Sequence, residues 1–199
     1  MQQLNNRVIV FSSPNSVKDE ASIVKLILQK KIKAFHLRKP SLSIEETRFF
    51  LNRIPKVYHS KIVIHNYISL LQEYQLKGYY CTRIFLKSNE IETIKKKYPK
   101  FSFSKGCHSI KELKNIEAYD YVFLSPIFDS ISKKDLSSNF NLKQLEEHLQ
   151  KEQKPIYALG GITPSLSRKL ENINFKGIGV LGFIWSNNNP IQQLDKFLN

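Results

Sequence analysis

Two histidines in this 199-residue chain stand beside groups that bind anions. His36 is followed by Arg38 and Lys39, and His65 is followed by Asn66, each at the end of a short apolar run. An imidazole can exchange a proton near neutral pH, and guanidinium and ammonium groups bind phosphate or carboxylate. These residue types predict that an anionic substrate binds at the ends of two strands.

His108 is the strongest candidate for proton transfer. It follows a small residue, Cys107, and precedes Ser109, a predicted helix cap. An imidazole at a strand end can act as a general acid or base. A histidine that only closes the end of a strand would look the same in the sequence, so both interpretations stay open.

The segment SPIFDSISKK, residues 125–134, offers hydroxyl groups and a point charge to the same kind of ligand. Ser130 and Ser132 can donate hydrogen bonds, and Lys133 can neutralise an anion. We therefore expect Lys133 to act as a catalytic group beside the histidine. A polar surface loop without a ligand is an equally good interpretation of these residues alone.

Glycines follow the last two apolar runs of the chain. Gly160 and Gly161 lie in YALGGITP, and Gly182 precedes Phe183. Glycine lets backbone come close to a ligand or to another segment. Backbone N–H groups at these turns are predicted to bind a phosphate, although tight packing between strand and helix would also require the glycine pair.

Eight pairs of a strand and a helix must position these residues. Short β-branched and aromatic runs alternate with amphipathic stretches roughly every 20–25 residues. The predicted strands cover residues 7–12, 34–39, 61–65, 78–82, 101–106, 120–127, 155–161 and 176–183. The predicted helices cover 16–32, 43–54, 68–76, 88–98, a stretch from Ser109, 141–151, 164–173 and 189–198. A capping box is expected at Ser43 and Glu46, and a helix start at Thr163 and Pro164.

Strands that alternate with helices pair in parallel, because a tight turn cannot join them. Eight such units predict a single-domain α/β structure over residues 1–199, a (β/α)8 TIM barrel, in which the carboxyl ends of all strands line one mouth. A doubly wound open sheet is the alternative. The Gly-rich turns lie late in the chain, and this position favours the barrel.

The charge of the chain also favours an anionic ligand. The formal net charge is +14, and residues 1–100 contain 19 Lys and Arg against 7 Asp and Glu. Such a balance attracts phosphorylated substrates or nucleic acid, but no alternation of aromatic and basic residues supports nucleic acid. The first residues lack a secretory signal, and no apolar run is long enough to cross a bilayer. We expect a cytoplasmic protein without membrane or nucleic-acid partners, with Cys81 and Cys107 as reduced thiols.

Five stretches resemble the thiamine phosphate synthase/TenI family, in the same order along nearly the whole chain. The most specific is DYVFLSPIFDSISK, which resembles the family pattern DYVGxGPIFPTxTK. The others are FHLRK for VQLREK, CHS for S-x-H-S, YALGGIT for xAIGGI and GIGVLGFI for GVAVVSAI. The resemblance implies a barrel enzyme of thiamine biosynthesis that acts on a phosphorylated thiazole.

The resemblance also implies roles for the site residues. A pyrophosphate would face Arg38, Ser130, Ser132 and Lys133, and the phosphate on the thiazole would face Gly160, Gly161 and Gly182. The family histidine that carries proton transfer corresponds to His108. The sequence leaves a monomer and a homodimer open.

Several positions depart from the family pattern. The third strand of the family ends in Asn-Asp, where His65 and Asn66 stand here, and the pattern HLGQxD corresponds to YCTRIF, which ends at Phe85. In the family, the aspartates of Asn-Asp and HLGQxD help to hold magnesium. Both of these acids are therefore replaced in this chain. His36 replaces a glutamine, and Gly106 replaces the serine of S-x-H-S. The family lysine after the arginine corresponds to Pro40, with Lys39 beside it.

The replaced acids lead to three hypotheses. The first is a thiazole tautomerase that needs neither metal nor cofactor, with His108 as acid and base. The alternative is a divergent thiamine phosphate synthase, which joins a pyrimidine pyrophosphate to thiazole phosphate and uses magnesium. The second alternative is a non-catalytic protein that binds a thiamine intermediate.

Overall fold

The computed structural model describes residues 7–82, 88–129 and 140–198. The strands are β1 Val8–Phe11, β2 Ala34–Leu37, β3 Ile62–Ile64, β4 Gly78–Cys81, β5 Ser102–Cys107, β6 Tyr121–Leu124, β7 Ile156–Ala158 and β8 Gly177–Val180. The α-helices are α1 Glu20–Gln29, α2 Ile44–Asn52, α3 Leu70–Tyr74, α4 Ser88–Lys97, α5 Leu142–Leu149, α6 Pro164–Ser167, α7 Gly182–Trp185 and α8 Pro190–Leu198. Short 3₁₀ helices cover Lys56–Lys61, Ile110–Asn115 and Arg168–Leu170. None of the helices in these ranges is long and apolar enough to span a membrane.

The eight strands form one closed barrel, and every neighbouring pair is parallel. The last strand pairs with the first, with Val8 opposite Ile178 and Val10 opposite Val180. This closure confirms the predicted (β/α)8 barrel and excludes the doubly wound sheet. Most elements are shorter than predicted, although β5 has the predicted six residues. The helix α1 begins only at Glu20, and a 3₁₀ helix replaces the α-helix expected after β5.

The predicted helix starts are present. The Ser43 hydroxyl accepts from the Glu46 N–H at 3.2 Å, and the Glu46 carboxylate accepts from the Ser43 N–H at 2.8 Å. Thr163 caps α6 through a bond from the Leu166 N–H at 3.2 Å. Each cap satisfies backbone donors that the first turn of a helix leaves without partners. These caps fix where the chain turns from the barrel mouth into α2 and α6.

Aromatic rings fill much of the barrel interior. The ring centroids of Phe11 and Phe123 lie 5.1 Å apart, and both rings lie beside Gly179 of β8. A Cβ at Gly179 would lie 3.1 Å from each of these two rings, and a Cβ at Gly177 would lie 2.9 Å from the ring of Tyr157. Since contacts this short are unfavourable, glycine on β8 makes room for rings from β1, β6 and β7.

Two imidazoles belong to this buried interior. His36 has no exposed surface, and its Nδ1 lies 3.1 Å from Nε2 of His65 while its Nε2 lies 2.9 Å from the Tyr121 hydroxyl. Nδ1 of His65 has no partner among the described residues. A buried acceptor without a partner costs less than a buried N–H without one. We therefore assign the proton to Nε2 in both rings, so that His65 donates to His36 and His36 donates to Tyr121.

Both rings are neutral in the folded chain. Burial, with a smaller effect of the Lys77 charge, lowers the pKa of His36 to about 3. Burial, followed by the charges of His36 and Arg38, lowers the pKa of His65 well below its usual value. The interior therefore holds a directed chain of neutral hydrogen bonds.

Acidification is expected to destabilise this barrel. In the unfolded chain the histidines take up protons below about pH 6.5, whereas folded His36 stays neutral down to about pH 3. The free energy of unfolding therefore falls with falling pH between these values, by up to about 1.4 kcal/mol per pH unit for each such histidine. Urea unfolding at about pH 7.5 and about pH 5 measures the loss. His36→Gln should show a smaller loss on acidification, and an equal loss in both proteins would contradict the assignment.

Candidate active site

His108 lies at the carboxyl end of β5 with its ring exposed. Its Nδ1–H donates to the carbonyl oxygen of Ser125 at 2.9 Å. A carbonyl can only accept, so Nδ1 carries the proton and Nε2 holds the lone pair of the neutral ring. The backbone N–H of His108 donates to Glu112 at 3.1 Å. These contacts fix the ring and its tautomer, and Nε2 is the nitrogen that can exchange a proton with a ligand.

Arg38 lies exposed at the end of β2, and Ser12 holds its backbone. The Ser12 hydroxyl accepts from the Arg38 N–H at 2.8 Å and donates to the Arg38 carbonyl at 3.1 Å. The sequence prediction did not include Ser12. A small hydroxyl residue directly after β1 was the available signal, but its contact with Arg38 depends on the pairing of β1 with β2.

Lys39 is buried at the same end of β2. Its ammonium forms an ion pair with the Glu20 carboxylate and donates to the Asn15 carbonyl at 2.8 Å. Asn66 donates from Nδ2 to the Lys39 carbonyl at 3.3 Å. Burial raises the pKa of the Glu20 carboxyl, and the hydrogen bond and charge of Lys39 oppose part of that rise. Lys39 thus joins the loop after β1, α1 and β2. Its predicted contact with a phosphate is not tested and stays a prediction, as does that of Asn66.

His36 and His65 lie beneath the mouth rather than in it. The ring of His65 is 3% exposed and stacks on Tyr80, with centroids 4.2 Å apart and planes 12° apart. The side chains of β2 and β3 alternate between the helix layer and the interior, and this alternation directs both rings inward. Their predicted contact with the substrate stays a prediction, and their observed contacts are with each other and with the rings of Tyr80 and Tyr121.

Gly160 and Gly161 pack against the segment that follows β6. Their φ angles are +93° and +66°, in the region that favours glycine. A Cβ at Gly160 would lie 2.7 Å from Cα of Pro126, and one at Gly161 would lie 2.7 Å from the carbonyl carbon of Phe128. The Phe128 N–H also donates to the Gly160 carbonyl at 3.1 Å. The close approach is thus made by protein backbone, and phosphate binding at this turn stays a prediction.

Gly182 and Phe183 form the first turn of α7, which is separated from β8 by Leu181. Trp185 anchors this turn because its indole N–H donates to the Phe11 carbonyl at 2.7 Å. The Phe183 ring lies 5.4 Å from that of Phe197 in α8. The predicted phosphate contact of Gly182 and Phe183 would therefore come from backbone, and it remains untested.

Four predicted positions of the site lie outside the described residues. They are Ser130, Ser132 and Lys133, predicted to bind the anion, and Phe85, predicted to replace a family acid. The functions assigned to them stay predictions.

The described part of the mouth does not fit a magnesium ion. Magnesium is bound through carboxylates and other oxygen ligands. Where the family pattern has its first acid, Asn66 offers an amide that already donates to backbone. Within residues 7–82, 88–129 and 140–198, no three Asp, Glu, His or Cys side chains converge as a metal site would require.

The buried Glu20–Lys39 pair is expected to contribute strongly to stability. Glu20→Gln removes the charge that faces the Lys39 ammonium, and we expect the free energy of unfolding to fall by about 3 kcal/mol. Glu45→Gln is the matched control, since Glu45 pairs with Arg48 while 74% exposed, and it should cost less than about 1 kcal/mol. Urea unfolding of both variants measures the difference. Equal losses would show that the buried pair has no special weight.

Comparison with known proteins agrees with this architecture. The family model described as thiamine monophosphate synthase, TMP-TENI, matches residues 8–184. The thiamine-phosphate synthase of Helicobacter pylori is 24% identical, over 88% of this chain and 84% of that protein. The corresponding protein of Anoxybacillus flavithermus is also 24% identical, over 92% of this chain and 88% of that protein.

Solved structures show the same similarity. The thiamine phosphate pyrophosphorylase of Bacteroides thetaiotaomicron superposes with a TM-score of 0.76 at 26% identity, covering 96% of this chain and 95% of that chain. The protein of the same name from Pyrococcus furiosus gives 0.79 at 15% identity, over 99% and 96% of the two chains, and at that identity it shows the fold alone. With a family match from β1 to α7, the resemblance is confirmed: the chain belongs to the thiamine monophosphate synthase/TenI family of thiamine-biosynthesis enzymes.

Proposed function

We propose that the chain is a divergent thiamine-phosphate synthase, a transferase that joins a pyrimidine pyrophosphate to thiazole phosphate and releases pyrophosphate. The observation that carries this proposal is its similarity to relatives named thiamine-phosphate synthase, aligned over 84% and 88% of their lengths. These names favour the transferase over the tautomerase that the replaced acids suggested. Exposed Arg38 and His108 at the mouth also suit a reaction that releases pyrophosphate.

Release of pyrophosphate requires that its negative charge be neutralised. Arg38 is the exposed cation at the end of β2, and its guanidinium can bind two phosphate oxygens at once. Ser130, Ser132 and Lys133 are its predicted partners. In the proposal, these groups neutralise the negative charge of the pyrophosphate, part of which a magnesium ion held by carboxylates would otherwise neutralise.

His108 supplies the mobile proton in this proposal. Its Nδ1–H is engaged by the Ser125 carbonyl, so a second proton can be gained and lost only at Nε2. The imidazolium form donates that proton to an oxygen of the departing pyrophosphate, while the carbon–oxygen bond breaks and the bond to the thiazole forms. General acid catalysis of this kind contributes about 10²–10⁴-fold.

The test is formation of thiamine phosphate from both substrates by the purified full chain, with added magnesium and with a chelator. We expect product, and we expect His108→Asn to lower kcat by about 10²-fold or more. Arg38→Ala should lower kcat/KM by about 10²-fold through lost charge stabilisation. Arg7→Ala is the control, because Arg7 directly precedes β1 and its guanidinium donates to the Lys176 carbonyl, at the amino ends of the strands and away from the mouth. Absence of product under both conditions would reject the synthase.

A thiazole tautomerase is the second candidate, and the geometry of His108 is the observation that favours it. One nitrogen of the ring is fixed and the other can move a proton between two atoms of a bound thiazole, which needs no leaving group. This function remains a proposal beside the first.

Proton exchange on the thiazole phosphate distinguishes the two candidates. A tautomerase would exchange solvent deuterium into the thiazole, observed by NMR, without any pyrimidine substrate. His108→Ala should abolish this exchange while calorimetry still detects binding of thiazole phosphate. Exchange without synthesis of thiamine phosphate would support the tautomerase, and tight binding without either reaction would support a non-catalytic binding protein.

A further inference from the structure

We propose that the hydroxyl of Tyr80 is a further catalytic group of this site, and that it takes the place of the serine hydroxyl that the family pattern carries at position 106. The inference rests on the proposed function, because the hydroxyl would donate a hydrogen bond to the phosphorylated substrate on which His108 acts.

Tyr80 and His108 meet at Gly106. A Cβ at position 106 would lie 2.5 Å from the Tyr80 hydroxyl oxygen and 3.8 Å from Nε2 of His108. The phenol hydroxyl and the proton-exchanging nitrogen therefore border the same small region at the carboxyl ends of β4 and β5. Both groups therefore lie within 4 Å of one point, the position that a side chain at residue 106 would occupy.

The space at position 106 links two departures from the family pattern. Gly106 stands where S-x-H-S has serine, and Tyr80 begins YCTRIF, where HLGQxD has histidine. With Tyr80 in place, a serine Cβ would lie 2.5 Å from the phenol oxygen, which real side chains do not tolerate. The tyrosine hydroxyl thus fills the space of the lost serine side chain, and a hydroxyl from β4 replaces one from β5.

Neighbouring rings hold this hydroxyl in a fixed position. The Tyr80 ring stacks on His65, and its centroid lies 5.9 Å from that of His36 and 6.1 Å from that of Phe123. His65 is itself held by the contact with His36. A rigid ring can place a hydrogen-bond donor with the accuracy that catalysis requires.

A double-mutant cycle tests the replacement. Tyr80→Phe removes the hydroxyl and is expected to lower kcat by about tenfold or more, the effect of a lost hydrogen bond to a charged group. Gly106→Ser alone should lower kcat as well, because its Cβ collides with the phenol oxygen. With phenylalanine at position 80, the next atoms around that Cβ are at 3.8 Å, an ordinary contact. The double variant should therefore recover kcat to within about threefold of the original chain.

Tyr79→Phe is the matched control. Tyr79 is the preceding residue on β4 and packs against the helix-side core, so its change should alter kcat by less than about twofold. Tyr80→Phe with unchanged kcat would overturn the inference. A double variant no better than Tyr80→Phe alone would overturn the replacement of the serine.

Two measurements separate this inference from the proposed function. Gly106→Ser should lower the thermal midpoint in the original background but not beside Tyr80→Phe, and equal effects would contradict the geometry. If the original chain turns over no substrate, the proposed function fails, and calorimetry with inorganic pyrophosphate then decides the role of the hydroxyl. Weaker binding in Tyr80→Phe that the double variant restores would support it, and unchanged binding, or none in any variant, would overturn it.

Discussion

Closure of the sheet by the pairing of β8 with β1 is the constraint on which the rest of this structure depends. An open sheet of the same parallel strands would spread Arg38 and His108 along one edge, whereas a closed one brings the carboxyl ends of eight strands around a single mouth. The indole of Trp185 strengthens this closure at the mouth by bonding to the Phe11 carbonyl. The residues at the mouth come from the whole length of the chain, so none of them forms a site before the ring is complete.

The interior explains how so short a chain fills a barrel. Rings from β1, β2, β4, β6 and β7, with that of His65 directly after β3, pack against one another, and glycine on β8 gives them room. Polar atoms are tolerated there because His36, His65 and Tyr121 bond to each other and remain uncharged. Four of the residues that depart from the family pattern, or stand beside such a departure, therefore fall into two groups. His36 and His65 belong to the packed interior, and Tyr80 with Gly106 belongs to the mouth.

The number and type of the elements could be predicted from the sequence, because β-branched and aromatic runs alternate with amphipathic stretches regardless of tertiary contacts. The positions of His108 and Arg38 at the mouth followed from the same pattern. The direction of His36 and His65 did not, since whether a side chain near a strand end faces the mouth or the interior depends on where the strand begins, within one residue. The ion pair of Lys39 with Glu20 could not be predicted either, because Glu20 lies in α1 and Lys39 follows β2, and only the fold brings the two side chains together.

The segment 125–129 has one more consequence for how the mouth operates. Its first carbonyl orients the imidazole of His108, and its following residues lie against the glycine turn after β7. A few bonds of backbone thus connect the carbonyl that holds the His108 ring with the turn of Gly160 and Gly161. A guest that displaced this segment would move the carbonyl that orients His108 together with the backbone that lies against Gly160 and Gly161, because both belong to one run of five residues.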